Sequence, residues 1–396
     1  MQDGTGKQKL RVALVHDFLL DLRGAERVFA ALCDIYPDAD IFTAVYDPKG
    51  THGRFANRRV HTTFLQRLRP TAKTFRALMP AYPYAIESLD LRGYDVVISS
   101  HSAWSHGVIP DAGAIHVCYC HNPFRYAWNA REETLHDNPA ILRAPLAMVL
   151  GRWRQWDTTA ARRVDRYIAN SETTRQRVLR YFGRSSEVIP PPVETHRFTP
   201  VPVAEVGEEY AVLSELMPHK RIDVAVRAFT RMELPLVIIG KGPDTRRLQR
   251  LAGPTIRFAG RIDDDEVAHT LARCRGLVVT ATEEFGIAAV EAQAAGRPVI
   301  ALRDGGVAGT VVEGVTGVFF DEPEPEALIA AVQGFDALSV DPAACVANAR
   351  RFDISSFQRG IERVVNDTLR GEQRRTSRSV LRRSPPRRAR GLVAPR

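Results

Sequence analysis

The chain has 396 residues, more than one hydrophobic core usually organises, so we expect two domains. With 44% hydrophobic and 26% charged residues, the composition is that of a globular protein and not of a disordered or membrane-spanning one. The net charge of +9 resides in the last 24 residues, where nine Arg and no acid leave 46 basic against 46 acidic residues elsewhere. Because a duplex-binding domain carries its charge on a folded face, this distribution argues against a nucleic-acid partner.

Short β-branched runs alternate with helical stretches along the chain. These runs are residues 11–15, 95–100, 115–119, 167–169, 210–213, 236–239, 277–280 and 298–301. The alternation predicts an α/β fold with parallel sheets covered by helices on both faces. We expect two Rossmann-like, doubly wound domains that face each other across a cleft, since such sheets bind ligands outside the carboxyl ends of their strands.

Proline interrupts this pattern once, in IPPPVETHRFTP at residues 189–200. We therefore place a domain boundary near residue 195. The expected parts are a first domain at 1–195, a second at 196–352, a C-terminal helix at 353–372 that can cross back to the first domain, and a basic disordered tail at 373–396.

The cysteines and the N-terminus bear on the compartment. The five cysteines are scattered without the paired spacing of a disulfide framework or zinc site, which fits a reducing cytosol. Cys118 and Cys120 alternate in an apolar run and are expected as core residues on one face of a strand. The N-terminus lacks an apolar leader and no window reaches 18 apolar residues, so any membrane contact is expected to be peripheral.

The most informative segment is TEEFGIAAVEAQAAG at residues 282–296, where a helix begins after Gly286. Glu291 falls on or beside the packed face of this helix, where an unpaired carboxylate is costly and favours hydroxyl partners. Glu283 precedes the helix, at the tip of a strand. The free amides from Phe285 to Ile287 lie between these carboxylates and can hold a diphosphate, with sugar hydroxyls at both ends. The alternative is a solvated, Glu-rich helix start.

Over residues 10–370 the sequence resembles the retaining GT-B glycosyltransferases of family 4. Residues 283–291 match their Glu-x7-Glu motif. Four further matches follow in family order: SELMPHKRIDVAVRAF at 214–229, VIIGKGP at 237–243, FAGRIDDDEV at 258–267 and GVTGVFF at 314–320. The resemblance implies a retaining transferase that moves a hexose from a nucleotide diphosphate sugar.

The resemblance also implies residue roles. Glu291 would bind the ribose, Glu283 the transferred sugar, and Lys220 the diphosphate. The expected donor-binding residues are Gly24, Lys220, Arg261, Ile262, Glu283, Phe285, Gly286, Ile287 and Glu291, with the base at the backbone of Arg261 and Ile262. A lysine and a helix N-terminus can stabilise the leaving diphosphate as a divalent cation would, so neither a metal nor another cofactor is expected.

The first domain is expected to bind the acceptor. Gly24, in the loop after the first strand, lets backbone approach a phosphate closely. The run HVCYCHNPFRYAW at 116–128 resembles a family 4 branch that transfers mannose and related hexoses in polysaccharide assembly. The resemblance places His121 beside the reacting sugar, so His121, Lys220 and Glu283 are the expected catalytic residues. GDP-mannose is the favoured donor, ahead of UDP- or dTDP-hexoses.

The sequence departs from the family pattern at two positions. Many members have an arginine five residues before the lysine, where this chain has Glu215, and Arg221 is a candidate substitute. The family also shows two glycines at the turn where this chain has Arg23 and Gly24. These departures leave open a nucleotide-sugar-binding protein that has lost catalysis, and a GT-B enzyme with hydrolase, phosphorylase or epimerase chemistry is the other alternative.

Residues 64–84 mix apolar and basic side chains, as an interfacial segment does, and residues 141–156 are a second candidate. Either could meet a polyprenyl-linked acceptor, and the alternative is packing on their own domain. The nine tail arginines could add attraction to an anionic leaflet. We expect a cytoplasmic protein that is peripheral at the inner membrane face.

Overall fold

The computed structural model describes residues 10–383, which form two parallel sheets. The first sheet contains β1 (Val12–His16), β2 (Asp40–Thr43), β3 (Val60–Thr62), β4 (Val96–His101), β5 (Ile115–Cys120), β6 (Arg166–Ala169) and β7 (Ser186–Val188). Its strand order is β3-β2-β1-β4-β5-β6-β7, and every pairing is parallel. Buried clusters cover both faces of this sheet, which explains why β4 and β5 are buried along their whole length.

The second sheet contains β8 (Tyr210–Leu213), β9 (Leu236–Ile239), β10 (Ile256–Gly260), β11 (Leu277–Val279), β12 (Val299–Leu302) and β13 (Gly317–Phe320). Its order is β10-β9-β8-β11-β12-β13, again parallel throughout. The order reverses between β1 and β4 in the first sheet and between β8 and β11 in the second. Such reversal points open a crevice at the carboxyl ends of the strands.

The described residues also form twelve α-helices, of which the last three follow β13. They are α1 (Gly24–Ile35), α2 (Tyr82–Glu87), α3 (Arg131–His136), α4 (Ala140–Ala160), α5 (Glu172–Phe182), α6 (Ile222–Met232), α7 (Thr245–Leu251), α8 (Asp264–Arg273), α9 (Ile287–Ala294), α10 (Pro325–Gly334), α11 (Pro342–Ala349) and α12 (Ile354–Arg383). Capping residues determine where several of these helices begin and end. Ser171 caps the first turn of α5 and Asp263 that of α8, while Gly183 ends α5 in the left-handed region.

The predicted α/β architecture is confirmed. All eight predicted strands are present, with ends that differ by at most one residue from the prediction. Cys118 and Cys120 lie together in one buried cluster, and all five cysteines are free and buried, as expected. The Asp-rich run at 263–265 is a helix start, since the Asp263 carboxylate accepts a hydrogen bond from the Glu266 amide.

The linker and the last helix join the two sheets. The predicted boundary at residue 195 falls between β7 and β8, where the Val193 amide donates to Phe352. α12 packs on the first sheet, because Phe357 and Ile361 belong to its buried cluster and the Phe357 ring lies 5.5 Å from that of Tyr119.

α12 continues to Arg383, beyond the predicted helix end at residue 372. The stretch from 373 to 383 lacks Pro and Gly, and the first tail prolines follow at 385 and 386, so nothing local ends the helix earlier. The rest of the predicted disordered tail, 384–396, lies outside the described residues. Among residues 10–383, no helix is both long and apolar enough to span a bilayer.

Candidate functional site

Lys220 and Glu283 meet at the carboxyl edge of the second sheet. Lys220 ends a short 3-10 turn after β8, and Glu283 lies in the loop after β11. The Lys220 Nζ lies 2.7 Å from each oxygen of the Glu283 carboxylate. Their side chains keep 18% and 22% of their surface exposed, so a ligand can reach both. The Thr280 hydroxyl donates to the Lys220 carbonyl and holds this turn against the edge.

The loop that carries Glu283 is fixed by two glycines. The Gly306 amide donates to the Glu283 carbonyl, and a β-carbon at Gly305 or Gly306 would overlap the backbone oxygens of Glu283 and Glu284. At the end of the loop, Gly286 adopts φ +92°, a left-handed conformation that glycine reaches without strain. This residue caps the N-terminus of α9, whose first amides have no partners within the helix.

Glu291 lies one turn further along α9, where the two domains meet. Its neighbours Val290 and Ala294 are buried with Phe285, whose ring packs 5.5 Å from that of Phe352. Burial raises the pKa of Glu291 to about 7, although the charge of Arg27 opposes the shift. A carboxyl group in such a place is stabilised by hydrogen-bond donors such as sugar hydroxyls.

Gly24 and the base-binding candidates lie along the same cleft. A β-carbon on Gly24 would stand 3.8 Å from the Ile287 side chain, so the first-domain loop touches the start of α9. Arg261 and Ile262 follow β10, and Ile262 packs into the second domain while Arg261 is exposed. Partial burial works to raise the pKa of Asp21, but hydrogen bonds from Arg23 and Leu22 and the charges of Arg23 and Arg261 lower it.

His121 follows β5 in the first domain and belongs to a buried polar chain. The Ser100 hydroxyl lies 2.9 Å from His121 Nε2 and 3.1 Å from His16 Nδ1. Burial, followed by the charge of His16, lowers the pKa of His121 to about 3. The imidazole is therefore neutral near pH 7, and it can exchange hydrogen bonds but carries no charge.

A buried network that sequence reasoning did not find lies at the carboxyl ends of β1 and β4 in the first sheet. The Asp17 carboxylate, fully buried, accepts hydrogen bonds from the amides of residues 102–105 and from the Ser102 hydroxyl. Burial acts to raise its pKa, but His101, His16 and the Trp104 and Ser102 amides hold the pKa at about 2. The network fixes the loop after β4. Its only sequence signal was an acid that directly follows a strand.

His101, His106 and Asp157 lie close enough in this network to be considered as metal ligands. The two imidazoles stack face to face, however, with centroids 3.9 Å apart and planes 17° apart. Imidazole lone pairs lie in the ring plane, so nearly parallel stacked rings do not direct them at one ion. The His106 Nε2 instead lies 2.7 Å from Asp157 Oδ1, as in a buried acid–imidazole pair.

Three residues in the segments that match the family have packing roles. Gly240 and Gly242 leave room for the backbone of Ser214 and Leu216, which a β-carbon at either glycine would overlap, so both are needed for this close approach. Arg221 points away from the Lys220 turn, since its guanidinium donates to the Pro323 carbonyl. It is therefore not placed to replace the cation that the family has at position 215.

A cavity of about 740 Å³ opens between the domains beside Lys220. Its lining includes Arg23 and Arg125 from the first domain and Glu215 and His219 from the second. The size suits a small molecule or the end of a larger one.

Two family models match the chain. The model described as Glycosyltransferase Family 4 covers residues 22–197, and the model described as Glycosyl transferases group 1 covers residues 201–352. The boundary between the two matches lies between β7 and β8.

Two relatives illustrate the sequence similarity. A GDP-mannose-dependent alpha-(1-6)-phosphatidylinositol monomannoside mannosyltransferase of Mycolicibacterium smegmatis is 34% identical over 193 residues, 41% of this chain and 50% of that protein. A D-inositol 3-phosphate glycosyltransferase of Acidothermus cellulolyticus is 29% identical over 258 residues, 56% of each chain. The chain thus spans about half the length of the curated relatives it matches.

The fold also has solved counterparts. The crystal structure of Anabaena HepE in complex with UDP superimposes with a TM-score of 0.66 at 17% sequence identity, covering 90% of this chain and 100% of that one. At this identity the likeness shows the fold alone.

Proposed function

Since the chain belongs to the family 4 glycosyltransferases and has their two-domain GT-B fold, we propose that it is a retaining hexosyltransferase that uses GDP-mannose. The acceptor in this proposal is a glycan or a polyprenyl-linked glycan. The observation that carries the proposal is the contact of Lys220 with Glu283 beside the start of α9.

That contact suits the junction between sugar and diphosphate. In a nucleotide sugar, one oxygen joins the anomeric carbon to the β-phosphorus, so groups that bind the sugar and the diphosphate must be neighbours. Glu283 can accept hydrogen bonds from sugar hydroxyls while Lys220 and the first amides of α9 face the phosphates. Glu291, one turn away, would then bind the ribose.

The chemistry needs charge stabilisation more than a nucleophile. As the bond from the anomeric carbon to the phosphate oxygen breaks, negative charge grows on the diphosphate, and Lys220 with the α9 amides stabilises it. The acceptor hydroxyl attacks the face that the diphosphate leaves, which retains the configuration, and its proton can pass to the departing phosphate oxygen. His121, neutral and held by Ser100, would position the sugar through a hydrogen bond.

Transfer of labelled mannose to an acceptor pool tests the function. We expect Lys220→Ala and Glu283→Ala to abolish transfer, because each removes a group that acts at the breaking bond, and chelation by EDTA to leave the wild-type rate unchanged. Arg221→Asn is the matched control, since this neighbouring cation faces Pro323 and asparagine tolerates its left-handed φ of 48°.

Three outcomes would oppose the proposal. Wild-type turnover by either alanine variant would contradict the assigned site. Turnover with UDP- or dTDP-hexoses alone would contradict the donor, and release of free sugar without transfer would indicate a hydrolase.

Exposed apolar and basic residues support a lipid-linked acceptor and contact with an anionic membrane on the cytoplasmic side. Residues 64–84 form two 3-10 turns and the start of α2, not one amphipathic helix. Within the first turn Leu65 is buried, whereas Leu68 is 63% exposed. On α4, Trp153 packs in the first domain, but Ile141 is 85% exposed. The cavity between the domains is lined by several cations, among them Lys73.

Flotation with anionic vesicles tests this contact. The Leu68→Glu/Ile141→Glu variant and a deletion of residues 373–396 should each reduce binding severalfold at low salt, because the first loses apolar burial and the second nine cations. Val203→Glu, at a site 49% exposed in the linker, is the control. Unchanged binding by both test variants would remove the membrane proposal.

A further inference from the structure

The two positions at which this chain departs from the family pattern touch each other. Arg23 lies at the N-terminal cap of α1 in the first domain, and Glu215 follows β8 in the second. The Arg23 Nη1 lies 3.4 Å from Glu215 Oε2, across the interdomain cleft. This chain lacks the positive charge that many family members have at position 215, but Arg23 supplies one on the opposite wall of the cleft.

Arg23 is held loosely enough to change partners. Its side chain is 54% exposed and that of Glu215 is 45% exposed, and ion pairs between such exposed groups contribute little. Its Nε donates to Asp21 at 2.9 Å, which orients the guanidinium and leaves the Nη atoms for another anion.

Neighbouring cations are engaged elsewhere. Lys220 contacts Glu283, Arg221 contacts Pro323 and Asp223, and Arg27 contacts Asp264 at 3.3 Å. Arg23 and Arg27 both contact the other domain, at similar distances and exposure. Of these four cations, however, Arg23 is the one that lines the cavity between the domains.

The position of Arg23 also fits the donor site. The adjacent Gly24 stands against Ile287 at the start of α9, whose amides are the proposed diphosphate site. Arg23 and Glu215 both line the cavity between the domains, together with His219, the residue before Lys220.

We propose that Arg23 binds the diphosphate of the donor from the first domain, and that its Nη atoms exchange Glu215 for phosphate oxygens when the donor enters. A guanidinium presents paired donors that match phosphate geometry. Glu215 holds Arg23 in the cleft of the empty enzyme. The inference rests on the proposed function, because it assumes a nucleotide diphosphate sugar at this site.

Calorimetric titration with GDP and with guanosine tests this role. Arg23→Ala should weaken GDP binding about tenfold with little change for guanosine, since only the diphosphate contact is lost. Glu215→Ala should bind GDP at least as tightly as the wild type, because it frees Arg23. In Arg23→Ala/Glu215→Arg the cation moves to the other wall, and GDP affinity should recover.

The control is Arg27→Ala, which removes a similar contact between the domains one helical turn away and should leave the ratio of GDP to guanosine affinity unchanged. If Glu215→Ala weakens GDP binding as much as Arg23→Ala does, the pair only joins the domains and the inference is wrong. Wild-type GDP affinity in Arg23→Ala would also overturn it. Failure of the wild type to bind GDP or any other nucleoside diphosphate would instead overturn the proposed function itself.

Discussion

The two domains use charge in opposite ways at the edges that face the cleft. In the second domain, Lys220 and Glu283 are partly exposed and each is the other's partner. In the first domain, Asp17 is fully buried and accepts four amide hydrogen bonds and one from a hydroxyl. A charge with that many fixed partners holds a loop, whereas a charge with one exchangeable partner can turn to a ligand.

The largest expected effect is the loss of stability in acid. Burial lowers the pKa of four histidines to about 3, and it raises the pKa of Asp157 and Glu291 to about 7. The histidines are His101, His106, His116 and His121. Near pH 5 the unfolded chain binds four protons at the histidines, while the folded chain binds two at the carboxyls, a difference of two.

Stability should therefore decrease as the pH falls below 6.5, by up to about 2.7 kcal/mol per pH unit. Below about pH 4 the two carboxyls bind protons in the unfolded chain as well, but the folded histidines begin to bind protons as the pH approaches 3, so the slope should level off and then decrease. Urea unfolding at several pH values measures this slope. His116→Gln should reduce it by about one proton, and a stability that stays constant from pH 7 to 5 would contradict the assignment of neutral buried histidines.

A second way to sharpen the comparison is Asp17→Asn. The amide group keeps the shape but replaces one acceptor oxygen by a donor, which then faces backbone N–H groups. We expect a loss of about 3 kcal/mol in the free energy of unfolding. Asp21→Asn is the control, because its side chain is 28% exposed and should change stability much less. Equal small losses in both variants would show that the buried carboxylate does not hold the loop.

A third change tests whether the donor site depends on its supporting loop. In Gly306→Ala the new methyl group would overlap the Glu284 carbonyl and displace the loop that carries Glu283. We expect about tenfold weaker binding of GDP-mannose, although no functional group is removed. Gly309→Ala, in the same turn with no atom within 4 Å of the new β-carbon, should bind normally. Normal binding by both would mean that the loop position is unimportant.

Sequence reasoning predicted best where the signal was local. The β-branched runs of the central strands gave their ends to within one residue, since fully buried parallel strands are apolar throughout. Five strands lie outside the predicted runs, namely β2, β3, β7, β10 and β13. Four of them, β3, β7, β10 and β13, are edge strands that are only partly buried, so their apolar signal is weaker. The motif around Glu283 and Glu291 predicted one loop and one helix, and the structure has Glu283 in the loop before α9 and Glu291 within α9.

The sequence did not predict contacts between segments that are distant along the chain. Arg23 and Glu215 are separated by 192 residues. Each, considered alone, indicates only that the residue common in the family is absent. Asp17 looks like any acid after a strand until the loop at 102–105 folds over it. The direct contact between Lys220 and Glu283 likewise depends on two loops that only the sheet order brings together.

The most direct test of the donor site compares GDP with GDP-mannose by calorimetric titration against Lys220→Met and Glu283→Gln. Lys220→Met should weaken both ligands, because it removes a diphosphate cation and leaves the Glu283 charge facing the phosphates. Glu283→Gln should keep or improve GDP binding while losing the added affinity that mannose provides. Wild-type affinity of both variants for both ligands would contradict a donor site at this pair.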